Sequence, residues 1–411
     1  MDTSSAATIQ VTDGVPPPKR RRLAQPVAPP RTIADMAQEI LLRLPPGEPG
    51  CLARAALVCK RWRRLVSDRA FLRRYRAFHR TPPMLGFVLN LKQHFRGMAE
   101  LVPTAPSFRP ETACYEGLNV LDARHGRVLL RTSELGSRQD LVVWDPITDD
   151  EWEIPRLLVY ALGFNAAVLC AAAGCDHLDC RGGPFLVALV GSSERGITFA
   201  YTYSSEAGAW GQRIVIEEPA FVDEQRPSVL VGNTVYCSCD PQINFKIVGY
   251  DVAAQKLSMI WPPSQHDEYC SCAIMKAGDG TLGLAGVQVD SFFWEDNTSA
   301  RLYLWSMKAG PDGFAEWTQR RVIRHKTLLR TRGLSTPPQI VGFADGHDLI
   351  FVRTGNKVLS MDLKSDHVRQ VYACRSRNYD VTIIPYMSFY TPDHATGSTA
   401  ITMRARCHPV A

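Results

Sequence analysis

The chain runs to 411 residues, 45% hydrophobic and 21% charged, which excludes a wholly disordered protein and leaves room for two or three folded units. No apolar run nears the ~20 residues of a membrane-spanning helix, and Met1–Gly14 lacks a basic start followed by an apolar stretch, so neither a membrane partner nor a secretory leader is expected. The formal charge of +6 is uneven: residues 1–80 carry 16 Lys and Arg against 6 Asp and Glu, a net +10, leaving −4 for the remainder, so acidic partners are steered to the front of the molecule.

Residues 1–31 are rich in Pro, Ala, Ser and Thr and hold no aromatic side chain. Such a segment buries too little apolar surface to offset its ordering entropy and reads as a disordered tail. Within it Lys19, Arg20, Arg21 and Arg22 form a compact cationic patch. The pattern fits a short nuclear-import signal, and a solvated charge run is the plainer alternative. The 12 cysteines are too dilute for a disulfide scaffold. They read as reduced thiols, which places the protein in the nucleus, the cytoplasm or both.

Residues 32–80 have helical spacing. Thr32 with Asp35 is a weak capping box. Met36, Ile40 and Leu44 then recur every four positions until Pro45-Pro46-Gly47 stops the stripe. A second stripe runs Leu52, Ala55, Ala56, Cys59, Trp62 and Val66, and a third runs Phe71, Tyr75 and Phe78. Three short helices in about fifty residues make a marginal core and are expected to complete it on a partner or on the following domain. Residues 51–80 carry ten Lys and Arg and one acidic residue, Asp68, a composition that also suits a nucleic-acid contact. Each helical residue turns the chain by about 100°, which sends Arg61 and Arg63 nearly opposite ways, and no base-reading element is evident. Direct nucleic-acid binding is therefore set aside.

From residue 81 helical spacing gives way to short β-branched and aromatic runs punctuated by Gly, Asp, Asn and Pro. Examples are Arg127–Arg131, Asp140–Trp144, Phe185–Val190 and Leu349–Arg353. A degenerate unit recurs: Trp144 before Trp152, Tyr203 before Trp210, Tyr250 before Trp261, Trp305 before Trp317, and Met361 before Tyr372. A period near fifty suits four-stranded propeller blades better than a sandwich or two separate β domains. The flanking runs Leu85–Leu89 and Thr382–Tyr386 predict a sixth blade closed from both ends of the chain. Pro385 then belongs at an edge or bulge, since it has no amide proton for an interior ladder. The fold class is thus α+β: a three-helix unit at 32–80 and an all-β propeller of six blades at 81–395, followed by a tail at 396–411.

Chemistry-bearing clusters are sparse. Cys170, Cys175, Asp176, His177, Asp179 and Cys180 form the richest. They could supply a tetrahedral zinc set, but the spacing matches no standard knuckle, so the expectation is an ordinary packed loop and no metal. Cys237 with Cys239, and Cys270 with Cys272, read as buried inert thiols. Gly278-Asp-Gly280-Thr-Leu-Gly283 has dinucleotide-loop spacing, yet a hairpin turn and strand are expected there rather than the required helix. His79, His125, His325 and His347 are dispersed without evident partners. No catalytic residue and no cofactor are assigned.

The run Glu39–Pro46, then Leu52-Ala53-Arg54, then Val58–Phe71 resembles the F-box. Phe71–Pro83, Gly342–Gly346 and Pro385–Pro392 are similar to a large plant, chiefly grass, family of F-box proteins with an F-box-associated β-propeller. Thr32-Ile33 stands where F-boxes commonly carry a Leu-Pro pair. The resemblance implies a non-catalytic substrate receptor of an SCF-type ubiquitin ligase. Its F-box would dock on a Skp-family adaptor, and through it a cullin–RING ligase, while the propeller holds a protein substrate that the sequence leaves unidentified. Ile40, Leu44, Pro45, Leu52, Val58, Cys59 and Trp62 are the candidate adaptor contacts, with Leu52 and Trp62 the most readily absorbed into an internal core. The alternative is a propeller enzyme or small-ligand binder with a vestigial F-box.

Overall fold

The computed structural model describes residues 33–93, 96–110, 114–132, 140–157, 161–178, 180–194, 196–240, 245–289, 300–310, 315–324, 337–374 and 379–391. The basic patch Lys19–Arg22, both expected tails, Thr32, Asp179 and His325 lie outside them.

Four helices come first, not three: α1 (Ile33–Leu42), α2 (Gly50–Val58), α3 (Lys60–Val66) and α4 (Arg69–His79). The second stripe breaks at Cys59, which is extended (φ −160°, ψ 163°) and whose Sγ accepts the Trp62 amide at 3.4 Å. The break thereby satisfies an amide that the start of α3 would leave unpaired. Asp68 caps α4 in the ordinary way, accepting from the Ala70 and Phe71 amides. Leu41, Leu42, Leu52, Ala55, Val66, Phe71, Leu72 and Tyr75 form the helical core together with Phe389, from the far end of the chain.

The strands build six sheets. The first complete one holds β4 (Leu118–Arg124), β5 (Arg127–Thr132), β6 (Leu141–Asp145) and β7 (Asp150–Ile154). The second holds β8 (Gly163–Cys170), β9 (Phe185–Ser192), β10 (Thr198–Ser204) and β11 (Ala209–Trp210), with β12 (Ile214–Ile216) also on β10. The third holds β13 (Val229–Val231), β14 (Thr234–Ser238), β15 (Ile247–Asp251) and β16 (Lys256–Ile260). The fourth holds β17 (Ser271–Lys276), β18 (Leu282–Val289), β19 (Ala300–Ala309) and β20 (Ala315–Ile323). The fifth holds β21 (Gln339–Ala344), β22 (Leu349–Thr354), β23 (Lys357–Asp362) and β24 (Val368–Ala373). In the sixth, β25 (Asp380–Met387) pairs with β1 (Met84–Gln93), followed by β2 (Arg96–Pro103) and β3 (Cys114–Glu116). This is a six-bladed propeller.

Strand alternation sends successive side chains to opposite faces, and the core divides accordingly. Val143 packs toward the second blade and Trp144 toward the sixth; Leu129 and its neighbours Val128 and Leu130 split the same way. Six hydrophobic clusters fill the six junctions between blades. No blade covers both its own faces; the ring does.

The ring closes where the sequence places its two loose ends. β1 and β25 are antiparallel, with Val88 opposite Ile384, Leu89 opposite Ile383 and Phe87 opposite Pro385. β25 is the inner edge of its sheet, so Pro385 costs no ladder bond across an interior strand. The five repeat residues Trp144, Tyr203, Tyr250, Trp305 and Met361 all fall on third strands and are buried. Gly278–Gly283 is a hairpin: Gly280 has φ +81°, Asp279 accepts the Thr281 amide, and β18 follows.

Candidate adaptor-docking face and propeller mouth

The helical unit leaves several apolar side chains uncovered. Ile40 is 57% exposed and Val58 65% exposed. Pro45 and Cys59 are also exposed, and Leu44 is half-buried against the helical core. Met36, one turn before Ile40, and Leu57, beside Val58, add exposed apolar surface that the sequence reading did not name as contacts. Leu52 is fully buried and goes to internal packing, while Trp62 packs only partly on the same core. Leu44 has an internal role as well, because its carbonyl accepts the Tyr75 hydroxyl at 2.9 Å. Lys60, Arg61, Arg63 and Arg64 stay exposed around α3.

The helical unit also rests on the closure blade. Phe389, two residues beyond β25, enters the helical core with its ring 6.4 Å from that of Tyr75. Arg76, a buried cation on α4, donates to the Thr391 hydroxyl at 2.9 Å. The Gly50 amide donates to Ser107 Oγ at 3.0 Å, and Ser388 donates its amide to the Pro83 carbonyl at 3.2 Å. His347, expected to be unpartnered, meets the Pro82 carbonyl at 3.0 Å through Nε2. His79 likewise packs edge-on against Tyr75 and Phe78. Truncating a buried aromatic to Ala costs about 3–5 kcal/mol. Phe389→Ala is therefore expected to leave the propeller folded while residues 33–80 become the first site of proteolysis, and an unchanged digestion pattern would refute that seat.

Beneath the helical unit a cavity of about 520 Å³ is lined by Arg76, Arg80, His125, Arg181, Lys276 and Asp345 among others. A second cavity of about 230 Å³ lies against the inner strands, with Arg124, Asp223, Arg226 and Asp380 in its wall. The charges near it are paired across blades. Arg131 from the first blade meets Glu224 at 2.9 Å, and Lys92 from the sixth meets the same carboxylate at 3.2 Å. Burial alone would raise the Glu224 pKa, but these two cations outweigh it and hold the carboxyl below its ordinary range. Asp122 receives Arg124 at 2.6 Å and the Val168 amide at 2.8 Å, yet burial still pushes its carboxyl upward. Arg226 pairs with Asp223 at 3.2 Å. These charges tie blades together at the ring's centre. Glu224 lies 93 residues from Arg131 and 132 from Lys92, so no local motif announced that group, whereas the Asp122–Arg124 and Asp223–Arg226 pairs are local.

The β8–β9 connection gathers the ligand-type residues singled out in the sequence. Its Cys170, Cys175, His177 and Cys180 bring their ligand atoms within 4.8 Å of one another. Asp176 takes no part in that set and instead accepts the Leu178 amide at 3.1 Å. His125 packs against His177 with ring centroids 4.7 Å apart and the rings tilted by 50°. Burial first, then His177 and the cations Arg124 and Arg127, lower the His125 pKa to about 3, so that imidazole is neutral at physiological pH.

Cys237, Cys239 and Cys272 are buried free thiols, and Cys270 is a half-buried one. Burial raises Cys239 to about 12 and Cys270 to about 11, which leaves both inert. Cys114 departs from the expectation of reduced thiols throughout: it is disulfide-bonded.

Comparison with known proteins agrees with this architecture. Residues 35–78 match the family model described as F-box-like, and residues 119–394 match the one described as F-box protein AT5G49610-like, beta-propeller. No curated protein matches the chain. Among solved structures, TolB from Acinetobacter baumannii aligns at 11% identity and TM-score 0.39, over 75% of this chain and 69% of its own. The SapL1 lectin in complex with alpha methyl fucoside aligns at 8% identity and TM-score 0.39, over 72% and 98%. With helices that match the F-box model leading into six blades whose model match spans most of the chain, this protein belongs to the F-box protein AT5G49610-like beta-propeller family.

Proposed function

We propose that the protein is the substrate-receptor subunit of an SCF-type ubiquitin ligase, without chemistry of its own. The unit at 32–80 docks a Skp-family adaptor, and the unit at 81–395 holds a protein substrate. One observation carries the reading: α4 packs on Phe389 from the propeller while Ile40, Val58 and Cys59 remain exposed. Exposed apolar anchors together with the exposed cations Lys60, Arg61, Arg63 and Arg64 of α3 suit an adaptor with an apolar groove and an acidic rim. The ligase would then work by proximity, raising the effective concentration of substrate lysines beside the charged ubiquitin-conjugating enzyme. The similarity to grass-type F-box proteins noted above belongs to this proposal too. Affinity purification with the proteasome and cullin activation blocked tests it: a Skp-family adaptor should co-purify in stoichiometric yield, and its absence refutes the reading.

The basic patch extends the proposal to location. Fused to a large reporter, residues 1–31 are expected to concentrate it in the nucleus, and changing Lys19, Arg20, Arg21 and Arg22 to Ala should return it to the cytosol. Equal distribution of the two fusions would leave the patch a solvated charge run.

A further inference from the structure

The β8–β9 connection carries a side-chain cluster that neither adaptor docking nor substrate holding uses. Cys170 ends the inner strand of the second blade, Cys175 and His177 lie in the connection, and Cys180 is buried at its far side. All four donor atoms fall within 4.8 Å of one another, and Cys180 Sγ is 3.9 Å from His177 Nδ1. Three thiols and one imidazole are the donor set of a tetrahedral zinc centre, and among the described residues no carboxylate, which would favour harder cations, joins the set. Zn–S bonds of about 2.3 Å place tetrahedral sulfurs about 3.8 Å apart. The donors therefore need to close by about 1 Å at most.

Two further features favour a metal over chance packing. The first is the backbone. Gly174 and His177 have φ of +65° and +59°, a conformation seldom adopted by a residue with a side chain. The resulting turn points the His177 amide at Cys175 Sγ, 3.4 Å away. Amide donors of that kind stabilise metal-bound thiolates. The second is charge. Zn²⁺ with three thiolates and a neutral imidazole carries a net −1. Arg127 is almost completely buried and within electrostatic reach of Cys180, Asp145 and Cys170, although Asp145 is already paired with Arg181 at 3.1 Å. Its Nη2 donates to the Gly183 carbonyl and its guanidinium lies over the Phe185 ring, yet Nε and Nη1 find no partner among the described residues. A buried guanidinium with idle donors is costly, and an anionic metal–thiolate centre beside it offsets that cost.

The cluster also has a place to act. Leu178, between His177 and Cys180, packs against the helical core. We propose that Cys170, Cys175, His177 and Cys180 bind one structural zinc ion, which pins Leu178 into the helical unit and so fixes that unit on the propeller. On binding, the three thiols release their protons to solvent and the imidazole donates as the neutral base.

The test uses the full chain purified under reducing conditions and reconstituted with zinc alone. Elemental analysis should find about one zinc per chain. Cobalt substitution should give the visible bands of a tetrahedral thiolate site. Cys175→Ser and His177→Ala lie at half-buried and exposed positions, so circular dichroism should remain native while zinc falls to about a tenth or less. Cys51→Ser, outside the cluster, should keep its zinc. Chelation should speed amide exchange in residues 171–184 and in α4. The site is overturned by sub-stoichiometric zinc in the parent protein, by full zinc in both ligand variants, or by a disulfide occupying these thiols. If zinc binds but chelation leaves exchange in α4 unchanged, the pinning role is overturned.

Discussion

Ending the chain at Asp380 is expected to unfold the whole propeller rather than fray one blade. The truncation removes the inner strand β25 from the closure sheet, and with it Val381, Ile383, Ile384 and Tyr386, all buried. Each such side chain contributes about 1.5–3 kcal/mol on burial. Four of them rival the whole net stability of a domain, roughly 5–15 kcal/mol. The loss also spreads, because Ile383 belongs to the junction with the fifth blade and Ile384 and Tyr386 to the junction with the first. Both neighbours would present an uncovered face, and β1 a new edge. A chain ending at Thr391 retains β25 and Phe389 and serves as the control. Thermal melts and limited proteolysis decide the matter: a truncated chain melting with the control would show that the blades do not depend on closure.

Changing Ile40 and Val58 together to Asp is expected to abolish adaptor capture without disturbing the fold. Both side chains are mostly exposed, so neither substitution opens the helical core. A central apolar anchor costs about 2 kcal/mol or more when removed from an interface. Two anchors together correspond to on the order of a thousandfold in affinity, and buried carboxylates add their own desolvation cost. This pair is a sharper probe than Leu44 with Pro45, because Leu44 also packs on the helical core and receives Tyr75 through its carbonyl. Calorimetry against a purified Skp-family adaptor, with circular dichroism of the variant, gives the answer. Affinity within threefold of the parent, in a folded variant, would remove this face from consideration.

Much of the architecture was legible because its signals are local. The stripes Met36–Ile40–Leu44 and Phe71–Tyr75–Phe78 mark a 3.6-residue period, and the aromatic or apolar third strands mark five blades. The sixth blade was legible only as leftover strands at the two ends, since its third strand, β2, repeats none of the aromatic markers. The break at Cys59 escaped notice because no Gly or Pro announces it. A thiol acting as a cap cannot be read from helical spacing. Leu52 was placed among contacts and core alike, and only packing assigned it to the core.

The sequence by itself determined the order of parts: a basic front end, a helical unit with apolar residues to spare, and a run of blades. Those properties follow from neighbours within a few turns or one hairpin. Tertiary structure alone decided what ring closure brings together. Phe389 meets Tyr75, Glu224 meets both Arg131 and Lys92, and Leu178 reaches the helical core. It also turned four ligand-type residues, ambiguous as a spacing, into a converging set, because left-handed turns at Gly174 and His177 fold the β8–β9 connection back on its own strand end. Spacing along a chain constrains direction only over a few residues, whereas burial of every blade's two faces constrains the whole ring at once.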